Sequence, residues 1–269
     1  MRYSILNQGI DIENQTEQQL LFSLDKYLKE EVNDAPMVTI KIREIEIGGY
    51  GIETITKSRR DVYNLFFSKK DYKQVLCALS KEYTEFMISV RDTCSEEVFL
   101  ELFIVAFYSY ISMQETLLMH ASAVSYKNQG IVFTASSGVG KTTQAELWAE
   151  HKAAKILNGD KVFLKRERDG IHAWGSPWKG SSPYAVNESV PLKAIVVLEQ
   201  AEANSIEKLE GLDILEHVVP HVFFPNWDTD CEQTVLKFLD QVLGETETYL
   251  LKCRPDETAV ELLASVIKE

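Results

Sequence analysis

The segment Ile131–Glu150 reads Ile-Val-Phe-Thr-Ala-Ser-Ser-Gly-Val-Gly-Lys-Thr-Thr-Gln-Ala-Glu-Leu-Trp-Ala-Glu. It opens with four strand-forming residues, passes through a loop of small residues, and enters a run with helical spacing at Lys141. A strand, a tight glycine-containing loop and a helix start, in this order, are the context of a phosphate-binding loop. The sequence therefore predicts that this segment binds the phosphates of a nucleotide.

Each part of the loop has a physical task in this prediction. Gly138 and Gly140 let the backbone approach a phosphate, and the loop amides and the helix N-terminus face the anion together. Lys141 would reach the β- and γ-phosphates, and the hydroxyl of Thr142 would bind Mg²⁺. The predicted ATP-binding residues are Ser136, Ser137, Gly138, Val139, Gly140, Lys141, Thr142 and Thr143.

The loop departs from the strict phosphate-loop pattern at its first glycine, where this chain has Ala135. This position ends a strand, and alanine is acceptable there. The alternative interpretation is a turn of small residues that caps an ordinary helix. The agreement between the Gly-Lys-Thr core and its strand and helix context favours the nucleotide site.

Composition restricts the classes of protein to which the chain can belong. The 269 residues carry a net charge of −13, so nucleic acid and anionic membranes are poor partners for this chain. The four cysteines are widely spaced and indicate neither a zinc site nor a disulfide framework. The N-terminal residues lack an apolar core of signal-peptide length, and the longest apolar run, Phe99–Met113, is short for a membrane span. We therefore expect a cytoplasmic protein with reduced cysteines and no membrane partner.

The chain divides into two predicted domains of the α/β class. Residues 1–92 are expected to form a small α+β domain without a recognisable catalytic motif. Packing against the phosphate-loop domain, or recognition of substrate, is favoured for it over a second catalytic centre. Residues 93–269 are expected to form the catalytic domain, a mixed sheet with helices.

Periodicity predicts several elements. In the first part, we predict a strand over residues 3–12, a helix along the apolar stripe Leu20–Val32, a strand at Val38–Ile42 and a strand pair over residues 72–79 and 83–90. A continuous helix is the alternative for the last two segments. A helix from about Glu96 to Glu115 follows.

Chemistry at a phosphate loop needs a further acid, which holds Mg²⁺ or takes a proton from the nucleophile. Asp160 follows an apolar pair shortly after the predicted helix, and Glu199 ends the apolar run Ala194–Leu198, as a Walker B acid would. Either residue could equally be a surface acid at the end of a strand. The residues alone therefore leave the choice open.

A resemblance to known families favours Asp160. Ser137–Thr143 resembles the phosphate loop of the phosphoenolpyruvate carboxykinase family and, up to Lys141, that of bacterial HPr kinase/phosphorylase. Met119-His120-Ala121 lies one hairpin upstream, as the histidine of the kinase family does, and Asn158-Gly159-Asp160 falls where both families have an acidic pair. The resemblance covers about residues 118–268 and is absent before residue 93.

A second stretch extends this resemblance. Gly-Ser-Pro-Trp-Lys-Gly at Gly175–Gly180 is similar to a motif of HPr-kinase-related proteins from peptide-maturation clusters, including lasso peptide kinases. Substrate contacts are therefore expected from Trp178, Lys179, Ser181 and Ser182, with a core position as the alternative for Trp178.

Two departures from the families concern the chemistry. Where they have Asp-Asp, this chain has Gly159-Asp160, followed by Lys161, so one carboxylate would serve as metal ligand, as base, or as both in turn. The motif for the reverse, phosphorolytic reaction is not found. His120 is expected to orient Asp160 or to contact the transferred phosphate, although a lone histidine on a buried strand is often a core residue.

The resemblance implies an ATP-dependent kinase that acts on an alcohol hydroxyl, most simply a Ser or Thr of a peptide or protein. Lys141, Asp160 and His120 are the expected catalytic residues, Thr142 and Asp160 the expected Mg²⁺ ligands, and ATP and Mg²⁺ the expected cofactors. A kinase of a free amino acid or polyol would use the same site. A nucleotide-sensing module with Glu199 as Walker B acid would bind the nucleotide without transferring phosphate. A carboxykinase is disfavoured, because the further metal-binding residues of that family are not found in this sequence. The sequence leaves the oligomeric state open.

Overall fold

A computed structural model describes residues 2–14, 22–27, 38–44, 63–67, 75–80, 85–90 and 96–267. The chain divides into two compact units. Met1–Met113 and Pro225–Glu232 belong to the first, and Gln114–Phe224 and Gln233–Glu269 belong to the second. Each unit combines strands and helices, so the fold is of the mixed α/β class.

The first unit contains a mixed sheet and one long helix among its described residues. The strands are β1 (Arg2–Ile5), β2 (Gln8–Asn14), β3 (Val38–Glu44), β4 (Tyr63–Phe67), β5 (Val75–Ser80) and β6 (Glu85–Val90). They lie in the order β1-β2-β3-β6-β5-β4, with β2, β3 and β6 parallel to one another. The helix α1 (Glu96–Ser112) follows, and its Ser109 hydroxyl accepts a hydrogen bond of 2.9 Å from the indole of Trp227.

Predictions for this unit are met to different degrees. The strand pair over residues 72–79 and 83–90 is confirmed, because β5 and β6 pair antiparallel. The single strand predicted over residues 3–12 is wrong: Leu6 and Asn7 have positive φ angles of 51° and 58° and turn the chain into the hairpin β1–β2. Of the helix predicted at Leu20–Val32, only Phe22–Tyr27 is described, as a 3₁₀ helix, and the remainder lies outside the described residues.

The second unit is built on a large mixed sheet. Its elements are β7 (Thr116–Tyr126), β8 (Gln129–Thr134), α2 (Lys141–Lys152), β9 (Lys155–Asn158), β10 (Lys161–Glu167), β11 (Gly170–Trp174), β12 (Ser189–Gln200), β13 (Ser205–Lys208), α3 (Leu212–Val218), β14 (Val222–Phe223), α4 (Thr229–Glu245, which begins in the first unit), β15 (Glu247–Cys253) and α5 (Glu257–Val266). The main path of the sheet is β11-β10-β7-β8-β12-β15-β13, and β11 also pairs with β12.

Strand β7 pairs with four other strands of this sheet. Its first half pairs with β10 and β14, and its second half with β8 and β9. Strands β8, β12 and β15 run parallel, so their carboxyl ends lie along one edge of the sheet. Ligands of open α/β sheets bind at such edges. The phosphate loop leaves the sheet at this edge, directly after β8.

The helix that follows the loop is anchored by a buried core. Trp148 of α2 has no exposed surface, and its ring packs against Tyr126 and Phe133 with centroids 5.2 and 6.3 Å away. Burying an indole ring of this size contributes about 3 kcal/mol or more to stability. The loop between β8 and α2 is thus held at both ends by packed elements.

The boundary between the compact units falls after α1, so α1 lies in the first unit, whereas the sequence predicts a domain boundary before it, between residues 92 and 93. The division into functional domains stays a prediction. Among the described residues, no helix is long and apolar enough to cross a membrane.

Candidate functional site

The loop from Ala135 to Gly140 connects β8 to α2 in a tight path. Gly138 and Gly140 have φ angles of 82° and 122°, which residues with a Cβ atom rarely adopt. The amide of Val139 donates to the carbonyl of Ser136 at 3.4 Å, and the amide of Gln144 donates to the carbonyl of Gly140 at 2.9 Å. The first intrahelical bond therefore starts at Gly140, which leaves the amides at the start of α2 directed at the loop.

Lys141 is folded back over this loop. Its ammonium group donates to the carbonyl oxygens of Ala135 at 3.0 Å and Ser136 at 3.3 Å, and its side chain is buried. Burial lowers the pKa of Lys141, while the charge of Asp160 acts in the opposite direction. An ammonium group that is partly desolvated and held by neutral carbonyls is well suited to attract an anion.

Two hydroxyl groups tie the start of α2 to its neighbours. Ser122 on β7 donates to the carbonyl of Lys141 at 2.7 Å, and Thr142 donates to the carbonyl of Gly159 at 3.1 Å. The second bond joins the phosphate loop to the turn that carries Asp160. The hydroxyl oxygen of Thr142 keeps its lone pairs for another partner, because it uses only its proton in this bond.

The turn with Asp160 is shaped by Asn158. The side-chain oxygen of Asn158 accepts hydrogen bonds from the amides of Asp160 at 2.8 Å and Lys161 at 2.9 Å, which is an Asx-type turn. Its amide nitrogen donates to the carbonyl and the hydroxyl of Ser176 at 2.9 and 3.2 Å. The buried pair of Asn158 and Ser176 thus links the predicted acid turn to the loop at Gly175–Gly180.

Asp160 lies between two basic side chains. Nε2 of His120 is 3.3 Å from Oδ1, and Nζ of Lys161 is 2.6 Å from Oδ2. Burial acts to raise the pKa of Asp160, but the hydrogen bonds and charges of His120 and Lys161 outweigh it and hold that pKa at about 2. The carboxylate is therefore ionised at neutral pH and able to bind a cation.

Most of the predicted site residues line one cavity of about 410 Å³, but Ser136 and Val139 of the predicted ATP-binding loop do not. The lining residues include His120, Asp160, Gly159, Lys179, Ser181, Ser182 and Pro183 together with Ser137, Gly138, Gly140, Lys141, Thr142 and Thr143 of the loop and helix start. Trp178 does not line the cavity. Its side chain is buried, and its ring packs 5.9 Å from Phe163, so it takes the core position that was the alternative for this residue.

The rival acid Glu199 lies elsewhere. It is exposed, its nearest cation is Lys252 at 3.7 Å, and it does not line the cavity. The next residue, Gln200, instead donates to the carbonyl of Val139 at 3.2 Å and so supports the phosphate loop.

His221, for which no sequence motif indicates a role, also lies near the site. Val222 pairs with Met119 across β14 and β7, so His221 lies at the register position opposite His120. Burial lowers the pKa of His221, and the charges of Lys141 and His120 lower it further. This side chain is thus within electrostatic range of the phosphate loop. The sequence does not predict this position of His221, because the short strand β14 is recognisable only from its pairing with β7.

Oxygen donors of the type that Mg²⁺ prefers line the cavity at Thr142 and Asp160. The described part of the chain holds no group of three or more His, Cys, Asp or Glu side chains that could bind a metal by themselves. This donor set fits Mg²⁺ that arrives with a nucleotide, since Mg²⁺ at such sites uses one or two protein ligands plus phosphate oxygens and waters.

The family model of the SynChlorMet cassette protein ScmC matches residues 75–214, which is more than half of the chain and includes the loop, Asp160 and the Gly175–Gly180 segment. The chain belongs to the ScmC family.

Among solved structures, the chain of this ScmC-family protein is similar to that of the Hpr(Ser) kinase/phosphatase from Coxiella burnetii, with 11% sequence identity and a TM-score of 0.34. The likeness covers 55% of this chain and 94% of the other. No curated protein matches the sequence.

The electrostatics of Asp160 make a prediction about stability. Its pKa lies near 2 in the folded chain and near the ordinary 3.8 in the unfolded chain, so the carboxylate stabilises the fold above about pH 4 and loses this contribution as the pH falls towards 2. Replacement by Asn should therefore lower the free energy of unfolding by about 2 kcal/mol at neutral pH, and by progressively less below pH 4. Urea unfolding of the two proteins at several pH values measures this difference.

The matched control is Glu202→Gln, which removes an exposed acid and should change stability by less than about 0.5 kcal/mol. A difference between parent and Asp160→Asn that stays constant down to about pH 3 would contradict the assignment of the low pKa to Asp160.

Proposed function

We propose that this protein is an ATP-dependent kinase that transfers the γ-phosphoryl group of ATP to an alcohol hydroxyl, of a Ser or Thr in a peptide or protein. The observation that carries the proposal is the convergence in one cavity of the loop lysine Lys141, the hydroxyl of Thr142 and the pair His120–Asp160. Phosphoryl transfer needs these elements: a phosphate cradle, an oxygen ligand for Mg²⁺ and an acceptor for the proton of the attacking hydroxyl.

The phosphate cradle consists of the loop amides and Lys141. The amides at the start of α2 and the positive end of the helix favour an anion, and the ammonium group of Lys141 needs only to exchange two carbonyl partners for phosphate oxygens. Thr142 and Asp160 would hold Mg²⁺. When bound, the cation supplies charge neutralisation of the β- and γ-phosphate oxygens.

In the transfer step, the acceptor oxygen forms a bond to the γ-phosphorus while the bond from that phosphorus to the β–γ bridging oxygen breaks and ADP leaves. The proton of the acceptor hydroxyl passes to Asp160. A carboxylate with a pKa of about 2 is a weak base, so its main effect is to orient the hydroxyl. A late proton transfer is compatible with this, because the transition state of phosphoryl transfer is loose.

His120 and Lys161 adjust the strength of this carboxylate. Both donate to Asp160 and depress its pKa. If Lys161 turns from the carboxylate to a phosphate oxygen, the pKa of Asp160 rises towards its ordinary value and the carboxylate becomes a better proton acceptor. We infer that His120 keeps the carboxylate in place while Lys161 exchanges partners.

The acceptor class is supported by the segment that forms the other wall of the cavity. Lys179, Ser181 and Ser182 contribute polar groups beside the buried Trp178. The resemblance of Gly175–Gly180 to kinases of peptide-maturation clusters favours a peptide over a free amino acid or polyol. The pairing of Asp160 with Lys161 at 2.6 Å favours a second candidate, a module that binds the nucleotide without transfer, because the ammonium group occupies one carboxylate oxygen.

The proposal predicts that ATP and Mg²⁺ raise the thermal stability of the protein. Lys141→Ala should weaken nucleotide binding at least about tenfold, because the cradle loses its central positive charge. Lys155→Ala is the matched control, since Lys155 is exposed, pairs with Glu188 and lies outside the cavity lining. A thermal-shift titration measures both. No shift of the parent up to millimolar nucleotide would contradict nucleotide binding.

The proposal also ranks the two acids. Asp160→Asn should lower phosphate transfer at least about a hundredfold, because a neutral amide binds Mg²⁺ and orients the hydroxyl less well than the carboxylate and cannot accept the proton. Nucleotide affinity should stay within about tenfold, because the cradle is intact. Glu199→Gln, the control, should change the rate less than about twofold, because this exposed side chain does not line the cavity.

The measurement is transfer of label from γ-labelled ATP to serine-containing peptides from the native gene neighbourhood, with free serine and glycerol as separate acceptors. Label on the free alcohols alone would favour the small-molecule kinase. Nucleotide binding with no label on any acceptor would favour the non-enzymatic module. A greater loss in Glu199→Gln than in Asp160→Asn would overturn the assignment of the acid.

A further inference from the structure

The side chain of Ser182 fills the space that any side chain on residue 159 would need. An ideal Cβ atom on Gly159 would lie 2.0 Å from Oγ and 2.5 Å from Cβ of Ser182, far inside van der Waals contact. The backbone of Gly159 is not in the left-handed region, so the obstacle to a Cβ atom there is its contact with Ser182. The two positions therefore form a complementary pair, in which one residue must be small for the other to be present.

Ser182 lines the same cavity as the proposed cation ligands Thr142 and Asp160. The ideal Cβ position on Gly159 is also 3.8 Å from Cγ2 of Thr142. The hydroxyl of Thr142 donates a hydrogen bond to the carbonyl of Gly159. An ideal Cβ atom on Gly180, two residues before Ser182, would lie 2.8 Å from Oδ2 of Asp160. The loop that carries Ser182 therefore packs closely against Asp160 at Gly180.

The hydroxyl is held in place and retains bonding capacity. Its oxygen accepts a hydrogen bond of 3.2 Å from the amide of Tyr184, and the amide of Ser182 donates to the carbonyl of Lys179 at 3.1 Å. The side chain is 9% exposed. Within the described residues its proton has no acceptor, and one lone pair of the oxygen is unused.

We infer that Ser182 is a ligand of the Mg²⁺ that accompanies ATP, as the third oxygen donor beside Thr142 and Asp160, directly or through one water. A neutral hydroxyl with a free lone pair in a fixed position is a suitable donor for this hard cation. Its buried position at Gly159 makes it a poorer contact for an incoming acceptor than the exposed neighbour Ser181. The inference rests on the proposed function and adds a residue to its cation site.

The test uses the full-length protein with ADP and Mn²⁺, whose binding is followed by electron paramagnetic resonance, and a separate titration of ADP in EDTA. Ser182→Ala should weaken Mn²⁺ binding to the ADP complex about tenfold and leave cation-free ADP binding unchanged. Ser181→Ala is the matched control, one residue away on the same loop and the same cavity, and should leave Mn²⁺ binding unchanged.

An exchange of the two side chains provides a second arm. Gly159→Asp alone should be strongly destabilised, because its side chain meets Ser182. Gly159→Asp combined with Ser182→Gly frees the space and restores an oxygen donor, so this double variant should fold and bind Mn²⁺ at least as tightly as the parent. Recovery in the double variant shows that residues 159 and 182 share one space beside the cation, and the ligand role of Ser182 itself is decided by Ser182→Ala.

Unchanged Mn²⁺ binding in Ser182→Ala would overturn the inference and leave the proposed function intact. Loss of cation-free ADP binding in the same variant would assign Ser182 to the shape of the loop and would also overturn it. A parent protein that binds no ADP would overturn both the inference and the proposed function.

Discussion

The candidate site depends on the hydrogen bond between the hydroxyl of Thr142 and the carbonyl of Gly159, which is 3.1 Å long. It joins two segments that leave the sheet at different strands, the phosphate loop after β8 and the acid turn after β9. A second bond, 3.0 Å from the amide of Ala121 to the carbonyl of Asp160, attaches the same turn to β7. Together they keep the acid beside Lys141, whose pKa responds to its charge.

The cavity is locally basic although the chain as a whole is acidic. The chain carries a net charge of −13, yet among the described residues the cavity lining holds one carboxylate, Asp160, together with the basic side chains of Lys141, Lys179 and His120, and Lys161 pairs with the same carboxylate. A site with more basic than acidic groups within an acidic chain attracts an anion locally while the remaining surface repels it. Two of these groups, His120 and Lys161, outweigh the effect of burial and lower the pKa of Asp160, which keeps the acid charged, as a cation ligand has to be.

Much of the fold of the second unit could be predicted from the sequence, because strong periodicity and a specific motif coincide there. The phosphate-loop strand, the helix after it and the turn at Lys127-Asn128 have the expected bounds within a few residues. The hairpin at Leu6-Asn7 was not predictable from alternation, since a two-residue turn through left-handed backbone leaves the apolar pattern almost continuous.

The site was predictable only in part, for a related reason. The loop residues follow from local spacing, but the pairing of Asp160 with Lys161 and His120 depends on strands brought together by the fold. The pairing of β14 brings His221 opposite His120, and the pairing of β12 brings Gln200 to the loop, and no local pattern encodes either pairing. Gly159 had the appearance of a lost acid in the sequence, whereas the structure explains it as the space that Ser182 occupies.

The most direct measurement of the central claim is a crystal structure of the protein with Mn²⁺ and a non-hydrolysable ATP analogue, in which anomalous scattering locates the cation. The account predicts the β- and γ-phosphates within hydrogen-bond distance of the amides of residues 138–143 and of Nζ of Lys141. It predicts the cation between these phosphates and the oxygens of Thr142 and Asp160. A nucleotide bound elsewhere, or a cation bound to Glu199 and remote from Asp160, would contradict it.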